Sequence, residues 1–305
     1  MDLRQLEALV AVAEHGRFSA AARALNTVQS NISTRIARLE NELQTILVDR
    51  SAGQLTPEGE VVVARARRVH AELQALTADV ASMTSHVIGQ VALGVIGTTG
   101  RWVAPLLLDE MHASYPGVRL SLVESTTSAL IPLLVDGQVD LAVINTPINH
   151  PELLSRPLFE EDLVMISPAN HELASSGDRE VTLAELAKHS ILLGPVGSHL
   201  RTHIDAAATA AATSLKAKAE IDGVRLTATL AFQGYGPAIV PSTAIPTWAQ
   251  RGDWAVLTLP EMPPRLVGLV SRRRGMLSTA ASHTRDVFGQ VVREHAGSQT
   301  GIRTA

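Results

Sequence analysis

Hydrophobic residues in the first part of the chain recur at intervals of three and four. Leu3, Leu6, Leu9, Val10 and Ala13 form one such stripe, which predicts a short amphipathic helix. Gly16 follows it as a C-terminal breaker. Ser19 is placed as the N-cap of a second helix, Ala20 to Leu25, and Asn26-Thr27-Val28-Gln29 as a turn. Ile32, Ile36, Leu39 and Leu43 then mark one apolar face of a third helix. Two short helices joined by a tight turn, the second with a polar and basic face, form a helix-turn-helix layout.

The segment from Val48 to Leu55 is short enough for a two-stranded wing. Thr56 caps the next helix, Pro57 takes its first position, and Glu58 and Glu60 suit its dipole. That helix runs over about 57–86, with Val62, Ala66, Val69, Leu73, Leu76, Val80 and Met83 along one side. A lone helix of that length needs a surface to bury its stripe, and the expected surface is the same helix of a second copy.

From about residue 90 the period changes. Apolar runs at 90–96, 119–124 and 140–144 alternate with helical patterns at 102–111 and 127–136. Further strands are predicted at 163–166, 190–193, 216–221, 238–240, 256–259 and 266–270. Helices are predicted near 182–188, 198–212, 223–233 and 278–294. Alternation of this kind predicts parallel sheets with helical crossovers, enough for two small α/β subdomains.

Charge sharpens the picture at one end. The chain has 305 residues and a formal net charge of −4. Yet Arg17, Arg23, Arg35 and Arg38 lie in a stretch with no acidic residue until Glu40. Such a face approaches phosphates without carboxylate repulsion, so double-stranded DNA is the expected partner. The chain contains no cysteine, which excludes disulfides, thiolate metal sites and cysteine nucleophiles. No secretory signal and no apolar run long enough to span a bilayer are read, so no membrane partner is expected and the cytoplasm is.

Ligands of open α/β sheets sit at strand ends and helix N-termini. Thr98, Thr99 and Gly100 follow the first strand; Thr126, Thr127 and Ser128 follow the second; Asn145 and Thr146 follow the third; Ser198 and His199 open a later helix. Their hydroxyl, amide and free backbone N–H groups suit an anion or a polar small molecule, with Arg101 and Arg201 as candidate cations. His199 and His203, four apart, are a minor metal candidate. Nucleophile elbows, phosphate loops and dinucleotide fingerprints are missing, so neither an enzyme nor a cofactor is expected. Arg272-Arg273-Arg274 is expected to end a strand and point into solvent.

The segments "LEALVAVAEHGRFSAAARALNTVQSNISTRIARLENEL" (6–43) and "LTPEGE" (55–60) resemble the LysR-type transcriptional regulators. The resemblance implies a winged helix-turn-helix at 1–60, a linker and dimerisation helix at 57–88, and an effector domain at 90–305. It implies α/β subdomains of periplasmic-binding-protein type at about 90–165 with 265–305, and about 166–264, with an inducer cleft between them. By position, Gln29 matches the family's base-contacting residue. Ser30, Asn31, Ser33, Thr34, Arg35 and Arg38 follow on the recognition helix, with Arg17 and Arg50 on its flanks. The resemblance implies a homodimer that pairs into a tetramer, and RNA polymerase as a further partner. Val28, Val48 and Gln44-Thr45 depart from the family's Ser, Phe and Gly, and the wing reads as short, so weaker wing contacts are expected. The alternative is a cytoplasmic small-molecule binding protein, or an enzyme on that fold, with a weakened DNA-binding domain.

Overall fold

The computed structural model describes residues 1–51, 53–82, 86–175, 180–245 and 253–305. Met83 of the predicted stripe and Ala52 of the wing lie outside the described residues, as does the stretch 83–85 of the predicted linker.

Three helices open the chain: α1 (Leu3–His15), α2 (Phe18–Ala24) and α3 (Gln29–Leu43). They close around Leu9, Val12, Ala21, Ile32, Ile36 and Leu39. Reciprocal bonds between Asp2 and Gln5 cap α1, and Gly16 ends it in the left-handed region. α2 starts earlier than the cap at Ser19 predicts. Phe18 packs against the small core and draws the chain into the helix, leaving Arg17 as an N-cap without a side-chain bond. Neither Thr27 nor Asn26 caps α3. Val28 holds that position without a side-chain bond, and Thr27 Oγ1 accepts from Asn31 Nδ2 at 3.0 Å instead. Gln44 ends α3 at φ 53°, a left-handed conformation that costs a side-chain-bearing residue about 1 kcal/mol.

The wing is a hairpin of β1 (Val48–Asp49) and β2 (Gln54–Leu55), with Val48 opposite Leu55. α4 (Pro57–Ser82) follows, and Thr56 Oγ1 accepts from Gly59 N at 3.0 Å as its cap. Gly59 is required there, because a Cβ would collide with Leu47 O. Val63 and Ala66 of α4 are buried on the first domain, whereas Val61, Val69, Leu73, Leu76 and Val80 are 39–62% exposed.

The effector domain begins with β3 (Gly89–Val95), α5 (Gly97–Ser114), β4 (Val118–Glu124), α6 (Thr127–Val135), β5 (Leu141–Thr146) and β6 (Leu153–Glu161). The chain crosses at Asp162 into β7 (Leu163–Pro168), α7 (Glu172–Ser175), α8 (Leu183–Leu186), β8 (Ser190–Leu193), α9 (His199–Ala210), β9 (Lys216–Glu220), α10 (Val224–Phe232), β10 (Ala238–Pro241) and β11 (Trp254–Thr258). It returns through β12 (Arg265–Arg272), α11 (Thr279–His295) and β13 (Ile302–Thr304). The first crossing falls before residue 165, because Leu163 already pairs with Pro241 in the second sheet.

The sheets run β13-β6-β12-β5-β3-β4 and β11-β7-β10-β8-β9. Both are mixed, not parallel throughout. β3 is parallel to β4 and β5, but β12 is antiparallel to β5 and β6. In the second sheet β8 is parallel to its neighbours and β7 antiparallel to its own. The strands at the two crossings, β6, β7, β11 and β12, are all among the antiparallel members. β6 and β13 have no counterpart among the predicted strands. β6 reads "LLSRPLFEE", whose proline and broken alternation hide it, and its pairing with β12 shifts register between Val267 and Gly268.

The linker helix is tied to the first subdomain. Arg68 Nη1 donates to Glu152 Oε2 at 2.7 Å, and Asp79 Oδ1 accepts from Thr279 N, at the start of α11, at 2.7 Å. The arginine run ends β12 but does not all point into solvent. Arg272 donates to Leu134 O and Val139 O, and Arg273 to Pro151 O and Leu153 O.

Candidate nucleic-acid face and effector cleft

The apolar row of α3 turns inward, so its polar row must turn out. Gln29, Ser30, Asn31, Thr34 and Arg38 are exposed, and Ser33 and Arg35 are half-buried. Arg17 is exposed at the start of α2. Three carboxylates of this domain are paired elsewhere: Glu42 with the N-terminal ammonium, Glu14 with Arg67, and Glu40 with Arg50. Among the described residues no ion pair engages Arg17, Arg35 or Arg38. Arg50 differs. Its Nη2 lies 3.4 Å from Glu40 Oε2, while Glu40 Oε1 accepts from Leu47 N and Val48 N. Glu40 therefore shapes the wing and partly neutralises its one cation.

The second site is a cleft of about 580 Å³ between the two subdomains. Thr98, Thr126, Thr127, Ser128 and Asn145 line one side, and Ser198 and His199 the other. Three expected residues do not line it. α5 begins at Gly97, so Thr98 faces the cleft while Thr99 and Gly100 rotate into the core. Thr146 sits within β5, not after it, and donates to Leu266 O at 3.3 Å.

The two candidate cations are spent on other partners. Arg201 is buried against Asp205, Glu220 and Gly194 O. The Arg101 guanidinium donates to Thr243 O across the subdomain boundary. The cation on the cleft floor is Arg265, at the start of β12. It is 5% exposed and bonded to Glu161, which is 0% exposed. Arg265 Nε and Nη2 reach Glu161 Oε2 at 2.9 and 2.5 Å. Nη2 also donates to Thr98 Oγ1 at 2.7 Å, and Nη1 to Asn145 Oδ1 at 3.2 Å. Glu161 Oε1 accepts from Thr243 N and Thr243 Oγ1 at 2.7 and 2.6 Å. One buried network thus joins both crossing strands, the cleft floor and the second subdomain. Residues 161 and 265 are far apart in sequence and share no motif, so no local signal could have found the pair.

The cleft carries no net positive charge. Glu124 and Asp222 line it with Arg225 and Arg265, and Arg265 is paired with Glu161 buried behind the floor. Burial, then His203 and Arg265, pushes the His199 imidazole below the usual histidine range and favours its neutral form. His203 Nε2 bonds Pro263 O at 2.8 Å, and no group of three metal-ligating side chains exists among the described residues. Besides the Asp222 carboxylate and the His199 ring, the polar side-chain atoms left for a ligand are hydroxyls and amides. Thr127 Oγ1, for example, accepts from Asn145 N and Nδ2 and keeps its own proton to donate.

Two family models match the chain: "Bacterial regulatory helix-turn-helix protein, lysR family" over residues 3–60 and "LysR substrate binding domain" over residues 84–293. A probable hydrogen peroxide-inducible genes activator of Mycobacterium avium is 34% identical over 88% of this chain and 86% of its own length. Full-length OxyR of Pseudomonas aeruginosa, solved with a cysteine-to-aspartate substitution, is 25% identical and superposes with a TM-score of 0.75, covering 96% of this chain and 95% of its own. Full-length CbnR complexed with its target DNA is 23% identical with a TM-score of 0.69, over 97% of this chain and 100% of its own. At that identity CbnR shows the fold alone. A DNA-binding family model that spans the whole first domain does not fit a binding protein or enzyme with a degraded N-terminus.

Proposed function

The chain belongs to the LysR family of bacterial regulators, and on that premise we propose how its own residues divide the work. It is a DNA-binding transcriptional regulator with an effector-binding domain, not an enzyme. Gln29, at the first turn of α3, reads a base edge, with Ser30, Asn31, Ser33 and Thr34 beside it. Arg17, Arg35 and Arg38 hold phosphates, and Arg50 adds a weaker wing contact because Glu40 claims part of its charge. The observation that carries this reading is the segregation on α3: an apolar row in the core, and a polar row with arginines that no described carboxylate engages.

The exposed apolar stripe of α4 supports a dimer through that helix, which sets two recognition helices in successive major grooves. Pairing of effector domains into a tetramer completes the assembly, in the cytoplasm; no helix of the described residues is long and apolar enough to cross a membrane. Arg68–Glu152 and Asp79–Thr279 fix the linker to the first subdomain. A ligand that alters the cleft thereby changes the angle between DNA domains, the bend in the promoter and the access of RNA polymerase.

The Pseudomonas aeruginosa OxyR carries a cysteine at the position substituted in its solved structure. This chain has no cysteine, so its effector is not sensed by thiol oxidation. Non-covalent binding in the cleft is the reading its lining supports, and the balanced charges favour a polar, uncharged molecule over an anion. Effector affinity that does not fall steeply as salt rises is the expected result; a steep loss with salt would speak for an anion.

The test of the DNA reading is fluorescence-anisotropy binding to the intergenic duplex upstream of the chain's own gene, against random duplex of equal length. Preference for the upstream duplex by a dimer or larger assembly is expected. A monomer at micromolar concentration, or equal affinity for both duplexes, would sink it.

A further inference from the structure

Two Arg–Glu pairs sit at opposite ends of the cleft: one lies within the first sheet at the crossings, and the other spans the two subdomains. Glu161–Arg265, at the crossings, is buried on both sides. Glu124–Arg225 joins the end of β4 in the first subdomain to the start of α10 in the second, with Nη2 to Oε1 at 2.6 Å. Both of its side chains line the cleft; Arg225 is 53% and Glu124 44% exposed. A pair at the crossings moves little when the subdomains rotate about them, while a pair at the mouth must break for the cleft to open. We propose that Glu124–Arg225 is a salt-sensitive latch that holds the cleft closed.

Three observations converge on it. The glutamate is seated by shape as well as charge: a Cβ on Gly97 would stand 2.7 Å from Glu124 Oε1. Burial weakens the hold of Arg101, on α5 of the first subdomain, on its proton, and Arg225 lies near enough to weaken it further. Arg225, which Glu124 holds, thus lies within electrostatic reach of a second guanidinium. The exposure of the pair keeps the latch weak, as a reversible gate requires. Removal of Glu124 leaves Arg101 and Arg225 opposed, so it opens the cleft more than removal of Arg225, which leaves no repulsion behind.

The inference rests on the reading of the cleft as the effector site, but its test needs neither effector nor DNA. The chain is free of cysteine, so Asp109→Cys on α5 and Ser214→Cys after α9, both on the protein's surface, supply the only thiols for two nitroxide labels. Labelled full-length protein is diluted into excess unlabelled protein, so that each assembly carries one labelled chain, and the distance distribution is read by pulsed dipolar spectroscopy. Glu124→Gln should shift the closed-to-open ratio about 1.5- to 5-fold toward open, and Arg225→Gln less. Glu124→Arg with Arg225→Glu should restore the closed distance, and added salt should open the parent but not Glu124→Gln. The same distribution in the parent and Glu124→Gln, or a charge swap that stays open, would overturn the latch. Either failure would leave the DNA reading standing, since that reading fails only in the duplex-binding assay.

Discussion

The two ends of the molecule treat arginine in opposite ways. On the N-terminal domain Arg17, Arg35 and Arg38 stand on the outer face with no ion pair among the described residues. In the cleft Arg265 and Arg225 each hold a carboxylate, at 2.5 and 2.6 Å, and Arg201 beside it is turned onto Asp205 and Glu220. The first arrangement stores charge for a polyanion that brings its own negative groups. The second uses charge up internally, as frame and latch, and leaves neutral donors for the ligand. An arginine count therefore says little about function until each guanidinium's partner is known.

The largest expected effect tests the frame. Arg265→Met leaves Glu161 buried without its partner and should destabilise the effector domain by about 3–5 kcal/mol in chemical denaturation. Adding Glu161→Gln should recover a large part. A loss below about 1 kcal/mol for the single substitution would show that the cleft floor does not depend on the pair.

Gln29→Ala comes next. It should remove roughly 1–3 kcal/mol of discrimination between the upstream duplex and one with the contacted base pair changed. Affinity for random duplex should stay the same; an equal loss on every sequence would refute base reading. Arg35→Ala should do the reverse. It should weaken all duplexes alike and lower the slope of log K against log salt by about 0.9 for each phosphate that the arginine neutralises. If it changed sequence preference instead, the two roles would need to be exchanged.

The smallest effect concerns pH. The lowered pKa of His199 means that the unfolded chain binds a proton more readily than the folded one. Its contribution to stability is therefore complete above the ordinary histidine value of about 6.5 and is lost as pH falls below it, through the lower folded value. His171, lowered by burial and by His189, acts in the same direction. His199→Gln should flatten the fall in melting temperature on acidification, and an unchanged profile would show that His199 ionises freely in the fold.

The sequence carries these two regions unequally for a physical reason. The DNA face is local: Gln29 to Arg38 lie on one helix, and spacing alone separates Ile32, Ile36 and Leu39 from the polar row. The wing, the Thr56 cap and the linker helix were legible on the same ground. The cleft depends on pairings over long separations. Its helix-start residues Thr98, Thr126, Thr127, Ser128, Ser198 and His199 could be named, because strand ends and caps are local signals. Arg265 and Glu161 could not, since 104 positions separate them. Arg225 and Glu124 escaped for the same reason. Thr99 and Gly100 were misplaced by the one-residue question of where α5 starts, and the mixed sheets by strands whose partners lie across a crossing.

The most direct measurement is the salt dependence of binding by the intact protein to its upstream duplex. Two arginines from each of two recognition helices, Arg35 and Arg38, neutralise at least four phosphates, so log K should fall with log salt at a slope of roughly −3.6 or steeper. A slope near zero would contradict the account, because these arginines of α3 would then have no phosphates to meet.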